Sequence, residues 1–278
     1  FLGAALLLVL FGLLALFSAT TAVAFTQHGD QYYFLKRQLL LGVLPGLLSM
    51  YLIMRMPYGA LKRVARVSFI FTLVLLLLVF IPGIGASFGT AKSWIVFGGF
   101  SIQPSELVKV GLALFLALWF ERRDIEDIES VRYGVLPFIS WVGVVAILIA
   151  LQPDIGTLAV VLALSFAIFF AAGARWKHIF VLMILGASVF SLLVISAPYR
   201  LARLTTFLHP EQDPQGAGYQ INQALLAIGS GGFMGQGVGQ SRQKFQYLPE
   251  VASDSIFAVI GEELGFLGAS GVVILIMV

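Results

Sequence analysis

Asp254 stands where a polar stretch gives way to an apolar one, and the residues around it are types that do chemistry together. Residues 218–265 read GYQINQALLAIGSGGFMGQGVGQSRQKFQYLPEVASDSIFAVIGEELG. A carboxylate at such a boundary caps the helix that follows or serves as a base. Just upstream, Arg242 and Lys244 supply positive charge. Six of the eleven residues 229–239 are glycine, and such a run can turn backbone N–H groups toward an anion. With no strand before it and no Gly-Lys-Ser/Thr after it, the run is neither a dinucleotide fingerprint nor a P-loop. Taken alone it fits a tight loop. Glu262 and Glu263 lie deeper in the apolar segment. Adjacent carboxylates at that depth need a cation, with Lys109 one candidate, or a proton.

Three further polar groups stand out. In Gln103-Pro104-Ser105-Glu106, followed by Lys109, proline suits a helix start and Ser105 can cap it. Glu106 and Lys109 are three apart, share a helix face and can pair; alternatively, Lys109 meets an anionic headgroup. Gln152-Pro153-Asp154-Ile155-Gly156-Thr157 breaks the chain between two apolar runs. Asp154 there caps the next helix or lines a polar cavity. Trp94, in AKSWIVFGG, has an indole suited to a membrane interface or to a sugar or isoprenoid contact.

The elements that position these groups are membrane spans. The chain of 278 residues is 59% hydrophobic and only 11% charged, against about 25% charged in soluble domains. Apolar runs of roughly 17–25 residues cross a bilayer as helix. About eight are visible, near residues 1–25, 38–54, 67–81, 105–120, 133–151, 156–173, 179–197 and from 255 onward. The sequence is therefore an all-α polytopic membrane protein, read as a single domain over 1–278. Residues 198–254 form a long extracytoplasmic loop. Ile221, Leu225 and Ile228 follow helical spacing, so residues 219–228 are expected to form a short amphipathic helix lying on the membrane. Phe1 opens inside one apolar run and Val278 closes inside another, so the chain reads as truncated at both ends.

Charge sets the orientation. Loops after the second, fourth and sixth spans hold Arg55, Lys62, Arg63, Arg66, Arg122, Arg123, Arg132, Arg175 and Lys177. Lys36, Arg37, Lys92, Arg200, Arg203, Arg242 and Lys244 are spread over a much longer opposite side. The positive-inside rule places the first group in the cytoplasm and the 198–254 segment outside. The net charge of +3 is thus a matter of topology and gives no sign of a nucleic-acid partner. With no cysteine, disulfides, thiolate metal sites and a cysteine nucleophile are excluded.

On the strings QPSELVK (103–109), QPDIGT (152–157), GYQINQALLAIGSGGFMGQGVGQS (218–241) and YLPEVASDSIFAVIGEELGFLG (247–268), the chain resembles the SEDS family (shape, elongation, division and sporulation) of cell-wall polymerases. The form GQSRQKFQYLPE is closer to its FtsW/SpoVE branch than to RodA. The resemblance implies a ten-span fold lacking its last two spans here, and a peptidoglycan glycosyltransferase acting in cell division. Its substrate would be lipid II, with undecaprenyl pyrophosphate released. Asp254 matches the family's essential aspartate. Trp94, Glu106, Lys109, Asp154 and Lys244 match its polar positions. Arg242, Gln152 and Ser241 complete the candidate substrate contacts, and a divalent cation, Mg2+ or Mn2+, could assist. The expected partners are a class B penicillin-binding transpeptidase and other division or elongation membrane proteins, in the bacterial cytoplasmic membrane with the site facing outward. Ser93 replaces the family's arginine before the tryptophan, Ser253-Asp254-Ser255 replaces Thr-Asp-Phe, and His209 replaces an aspartate before Pro210. A lipid flippase and a non-catalytic scaffold for the transpeptidase are the competing readings.

Overall fold

The computed structural model describes residues 2–88, 91–97, 100–216, 218–245, 248–249, 251 and 253–277. Helices α1 (Leu2–His28), α2 (Tyr33–Gln38), α3 (Leu44–Arg55) and α4 (Tyr58–Leu78) come first; α2 and α3 are joined through a π-helical turn, Leu39–Val43. Strands β1 (Gly85–Phe88), β2 (Ala91–Phe97) and β3 (Phe100–Ile102) follow. Then come α5 (Pro104–Glu121), α6 (Ile125–Glu129), α7 (Leu136–Leu151), α8 (Ile155–Ala171) and α9 (Trp176–Ile195). The chain continues with α10 (Pro198–Leu208), α11 (Tyr219–Gly231) and α12 (Ile256–Met277). It divides into two compact units, residues 55–196 and residues 1–54 with 197–278.

The expected helical membrane architecture is present. Among the described residues five helical stretches are long and apolar enough to cross a bilayer: Leu2–His28, Tyr33–Arg55, Val131–Leu151, Trp176–Ile195 and Ile256–Met277. The other three expected spans also exist as helices. Of these, α8 is 17 residues long, α4 carries Lys62, Arg63 and Arg66, and α5 carries Glu106, Lys109 and Glu121. Helix α4 starts at Tyr58, nine residues before the expected span at 67, so the basic residues read as a loop are its first turns. Lysine and arginine are good helix formers, and Pro57, in an extended conformation, sets the helix start. The loop at 82–104 holds an antiparallel three-stranded meander, β1-β2-β3, which hydropathy did not reveal.

In the unit spanning 55–196, the core is built from facing rows of α4, α5, α7, α8 and α9, including Phe69, Leu112, Leu116, Val145, Val161 and Phe169. Phe138 and Phe169 stack at 4.3 Å, and so do Phe69 and Phe115. Lipid tails are as apolar as leucine, so this interior is held by van der Waals packing and hydrogen bonds rather than by exclusion of water.

The other unit is organised around α12. Gln220 reaches Ser255, a Cβ on Gly231 would meet the Gly261 carbonyl at 2.0 Å, and one on Gly235 would meet the Glu263 carbonyl. Position along α11 and the following turn therefore rises with position along α12, so the two helices run parallel from a common end. The helix expected at 219–228 is present as α11, three residues longer, with its small residues Ala227 and Gly231 buried against α12. Exposed Leu225 and Leu226 form the apolar side of its amphipathic pattern.

Beyond Gly231 the chain turns and runs back along α12. There α12 is broken at Gly265, with φ 66° and ψ −165°. The turn repairs the break. Phe266 N–H donates to the Gly232 carbonyl at 2.9 Å and Leu267 N–H to Phe233 at 3.3 Å, while Gln236 and Gly237 donate to the carbonyls of Glu262 and Glu263. At Gly265 a side chain would meet both the wrong backbone region and the Gly235 nitrogen at 2.3 Å. Gly265→Ala is expected to destabilise the protein by about 3 kcal/mol or more. Thermal unfolding of the detergent-solubilised protein checks this, and an unchanged midpoint would show that the break is dispensable.

Candidate active site

The candidate residues fall into two groups, one in each unit. In the unit spanning 55–196, the QPSE and QPD strings interlock. Gln103 is the N-cap of α5 and Pro104 opens the helix. Gln103 Nε2 donates to Asp154 Oδ2 at 2.9 Å, and Asp154 Oδ1 accepts from Thr157 N–H at 3.1 Å. Asp154 is thus the cap of α8 and also a tie to the start of α5. Gln152 is buried and gives its Nε2 to the Leu76 carbonyl at 3.1 Å, answering an acceptor left unpaired near the end of α4. Its Oε1 is buried without a partner among the described residues, as is the hydroxyl of Ser105. Ser105 therefore does not cap α5; it lies one residue inside the helix and faces inward.

Glu106 and Lys109 pair at 2.8 Å with the expected spacing, and both are partly exposed. Trp94 lies on β2 opposite Ala86, half-buried and with a partner.

In the other unit, the two glutamates of α12 anchor the returning loop. Glu262 is 1% exposed. Its carboxylate accepts from Ser241 Oγ at 2.5 Å, Arg242 N–H at 3.0 Å and Gln243 N–H at 3.4 Å. Glu263 pairs with Lys244 at 2.8 Å and takes the Ser18 hydroxyl of α1 at 2.7 and 2.8 Å. The Lys244 amine also reaches the Gly239 carbonyl at 2.9 Å. Lys244, rather than Lys109, is thus the cation for this acidic pair. Nineteen residues separate Lys244 from Glu263, a spacing that no helical or strand periodicity connects.

Two of the expected anion contacts are engaged within the protein. Lys244 is 5% exposed, with its Nζ held by three partners. In the glycine run, the amides of Gln236 and Gly237 are given to α12 carbonyls. Arg242 uses only its backbone, and its guanidinium is exposed and has no partner among the described residues. Ser241 is likewise committed to Glu262.

Asp254 lies just before α12, with only Ser255 between. It is exposed, and its carboxylate has neither a hydrogen bond nor an ion pair among the described residues. It is therefore not spent as a helix cap. Tyr247 and Glu250 of the preceding motif lie outside the described residues. No group of three or more His, Cys, Asp or Glu converges on a metal-sized site among the described residues. Residues that sequence reasoning did not select include Ser18, Gln220 and Ser255, since each is an ordinary polar residue until its partner is known.

Fold and site together define a polytopic helical membrane protein with a broken span and a free carboxylate at that span's mouth. The chain belongs to the FtsW/RodA/SpoVE family: the family's model, described as a cell cycle protein, matches residues 1–278. It is 42% identical over 273 residues to stage V sporulation protein E of Bacillus subtilis, covering 98% of this chain and 74% of that one. It is 40% identical to a probable peptidoglycan glycosyltransferase FtsW of Geobacter sp. (strain M18), over 95% of this chain and 71% of that one. Among solved structures it resembles a chain of a peptidoglycan synthase complex that coordinates polymerization and crosslinking. That match has TM-score 0.70 and 28% identity, covering 99% of this chain and 74% of the other. The rod shape determining protein RodA of Thermus thermophilus matches with TM-score 0.62 and 26% identity, over 98% and 70%.

The buried pair gives a direct test of the loop anchor. Lys244→Met strands the Glu263 carboxylate and is expected to cost about 3–5 kcal/mol of stability, most of it recovered when Glu263→Leu is added. Unfolding midpoints of the single and double variants decide it; an additive loss would show that the two residues act separately.

Proposed function

We propose that this chain is a peptidoglycan glycosyltransferase that polymerises lipid II during cell division, with Asp254 as its general base. The observation that supports the assignment is the exposed Asp254 carboxylate at the mouth of α12, without a partner among the described residues, in a chain whose relatives bear that enzyme's name. Asp254 takes the proton from the acceptor sugar 4-hydroxyl as that oxygen attacks the anomeric carbon of the donor N-acetylmuramyl unit. The β-1,4 bond forms, configuration inverts, and undecaprenyl pyrophosphate leaves with the bonding electron pair. Charge developing on the leaving group needs a positive partner. In the unit containing Asp254, the Arg242 guanidinium, exposed and without a partner among the described residues, suits that role better than the engaged Lys244. Lys109, Glu106, Trp94, Asp154 and Gln152 are proposed as further substrate contacts on the unit spanning 55–196. Mg2+ or Mn2+ could assist at the pyrophosphate, and no step above depends on it.

The protein acts, in this reading, in the bacterial cytoplasmic membrane with Asp254 on the outer face, beside a class B penicillin-binding transpeptidase and other division proteins. Asp254→Asn keeps the shape and removes the base. Lipid II polymerisation is expected to fall by about 10²–10⁴ with protein level and melting unchanged. Wild-type polymer from that variant would overturn the assignment. The broken span and re-entrant turn also suit a lipid transporter. Polymer made from lipid II in detergent, without any gradient, separates the enzyme from a transporter or a scaffold.

Topology has its own test. The chain lacks cysteine, so single substitutions report cleanly. A membrane-impermeant maleimide is expected to label Gln215→Cys in intact cells and Lys177→Cys only after permeabilisation; the reverse pattern would invert the orientation.

A further inference from the structure

Asp254 has no partner among the described residues, yet a base must be held within a fraction of an ångström of its proton. The neighbouring residue shows how this is achieved. Ser255 is 4% exposed, beside an Asp254 that is open to solvent. Its hydroxyl donates to the Pro249 carbonyl at 3.0 Å and accepts from Gln220 Nε2 at 3.3 Å. Its own carbonyl takes the first helical bonds of α12, from Ala258 N–H at 3.0 Å and Val259 N–H at 3.4 Å. One hydroxyl therefore joins three segments: the first turn of α11, the turn at 248–249 and the start of α12. Leu248 and Val251, 3% and 5% exposed, pack beside Ala227, Ala258 and Val259 and form the apolar half of the same anchor.

We infer that Ser255 and Gln220 are positioning residues for Asp254, forming a hydrogen-bonded clasp that fixes the backbone from which the carboxylate projects. The inference rests on the reading of Asp254 as the base. Because the carboxylate itself has no partner among the described residues, its placement comes from its backbone and its rotamer alone. The backbone is held on one side by the buried Val251 and on the other by Ser255. Losing the hydroxyl leaves the Pro249 carbonyl and the Gln220 amide without this partner and frees the Asp254 backbone to shift. A shift of about 1 Å is enough to cost a rate on the order of 10²-fold. Neither residue touches the reacting atoms, so the identity of the base and the occupancy of substrate are untouched.

The test uses the whole protein in nanodiscs with lipid II. Ser255→Ala is expected to lower kcat about ten- to a hundredfold, with KM within about twofold and the pH–rate profile unmoved. Ser255→Thr, which keeps the hydroxyl, is expected to restore most of the rate. Gln220→Leu is the second variant, and its effect is expected to be much less than additive with Ser255→Ala, as for partners in one network. A readout independent of turnover is a nitroxide label on Asp254→Cys, whose spectrum is expected to sharpen toward the mobile limit when Ser255→Ala is added. Wild-type kcat in both Ser255→Ala and Gln220→Leu, with Asp254→Asn inactive, overturns the clasp and leaves the base standing. Full activity of Asp254→Asn overturns the base reading and the clasp with it. An unchanged label spectrum likewise overturns the clasp.

Discussion

In hydrocarbon no water is present to satisfy a peptide group, and the arrangement of the α12 unit follows from that constraint. Interrupting a span at Gly265 frees amides and carbonyls on both sides of the break. Each unsatisfied group costs several kcal/mol in that medium. The turn after α11 supplies the complement: carbonyls of Gly232 and Phe233 for the amides beyond the break, and amides of Gln236 and Gly237 for the carbonyls before it. The glycine run is thus explained by backbone pairing at close range. A side chain at Gly231 or Gly235 would stand within about 2 Å of an α12 carbonyl.

The same economy governs the buried charges. An ion pair taken out of water gains nothing unless the remaining donors and acceptors are also met. Glu263 has Lys244 and Ser18, Lys244 has in addition the Gly239 carbonyl, and Glu262 is surrounded by three donors. Beside these filled charges, the exposed Asp254 carboxylate and Arg242 guanidinium have no partner among the described residues and keep their binding capacity for something outside the protein.

Much of the fold was legible because span length and local spacing are short-range signals. The expected run at 105–120 became Pro104–Glu121, and that at 133–151 became Val131–Leu151. The Glu106–Lys109 pair and the Asp154 cap, three or four residues in reach, were readable for the same reason. Three features were not. The β1–β3 meander is too short and too glycine-rich for a period to declare itself. The start of α4 was hidden because basic residues mark a loop and a helix end alike. The partners of Glu262 and Glu263 lie about twenty residues away across a turn, or on the first helix, and no sequence pattern encodes that distance. Asp254 was legible as a candidate from its boundary position, whereas its freedom from partners required the coordinates.

The bond between Ser18 and Glu263 spans 245 positions of sequence. It belongs to a unit whose two pieces are separated by the whole of residues 55–196. During synthesis from the amino terminus, α1 enters the membrane long before α12 exists. The intervening unit, contiguous in sequence, can close on itself in the meantime. The hydroxyl of Ser18 and the small face at Ala19 and Ala24 must wait in lipid, or against an insertion factor, until α12 arrives. Assembly of the acidic anchor therefore follows closure of the intervening unit, and the maturity of the site around Asp254 is tied to the arrival of α12.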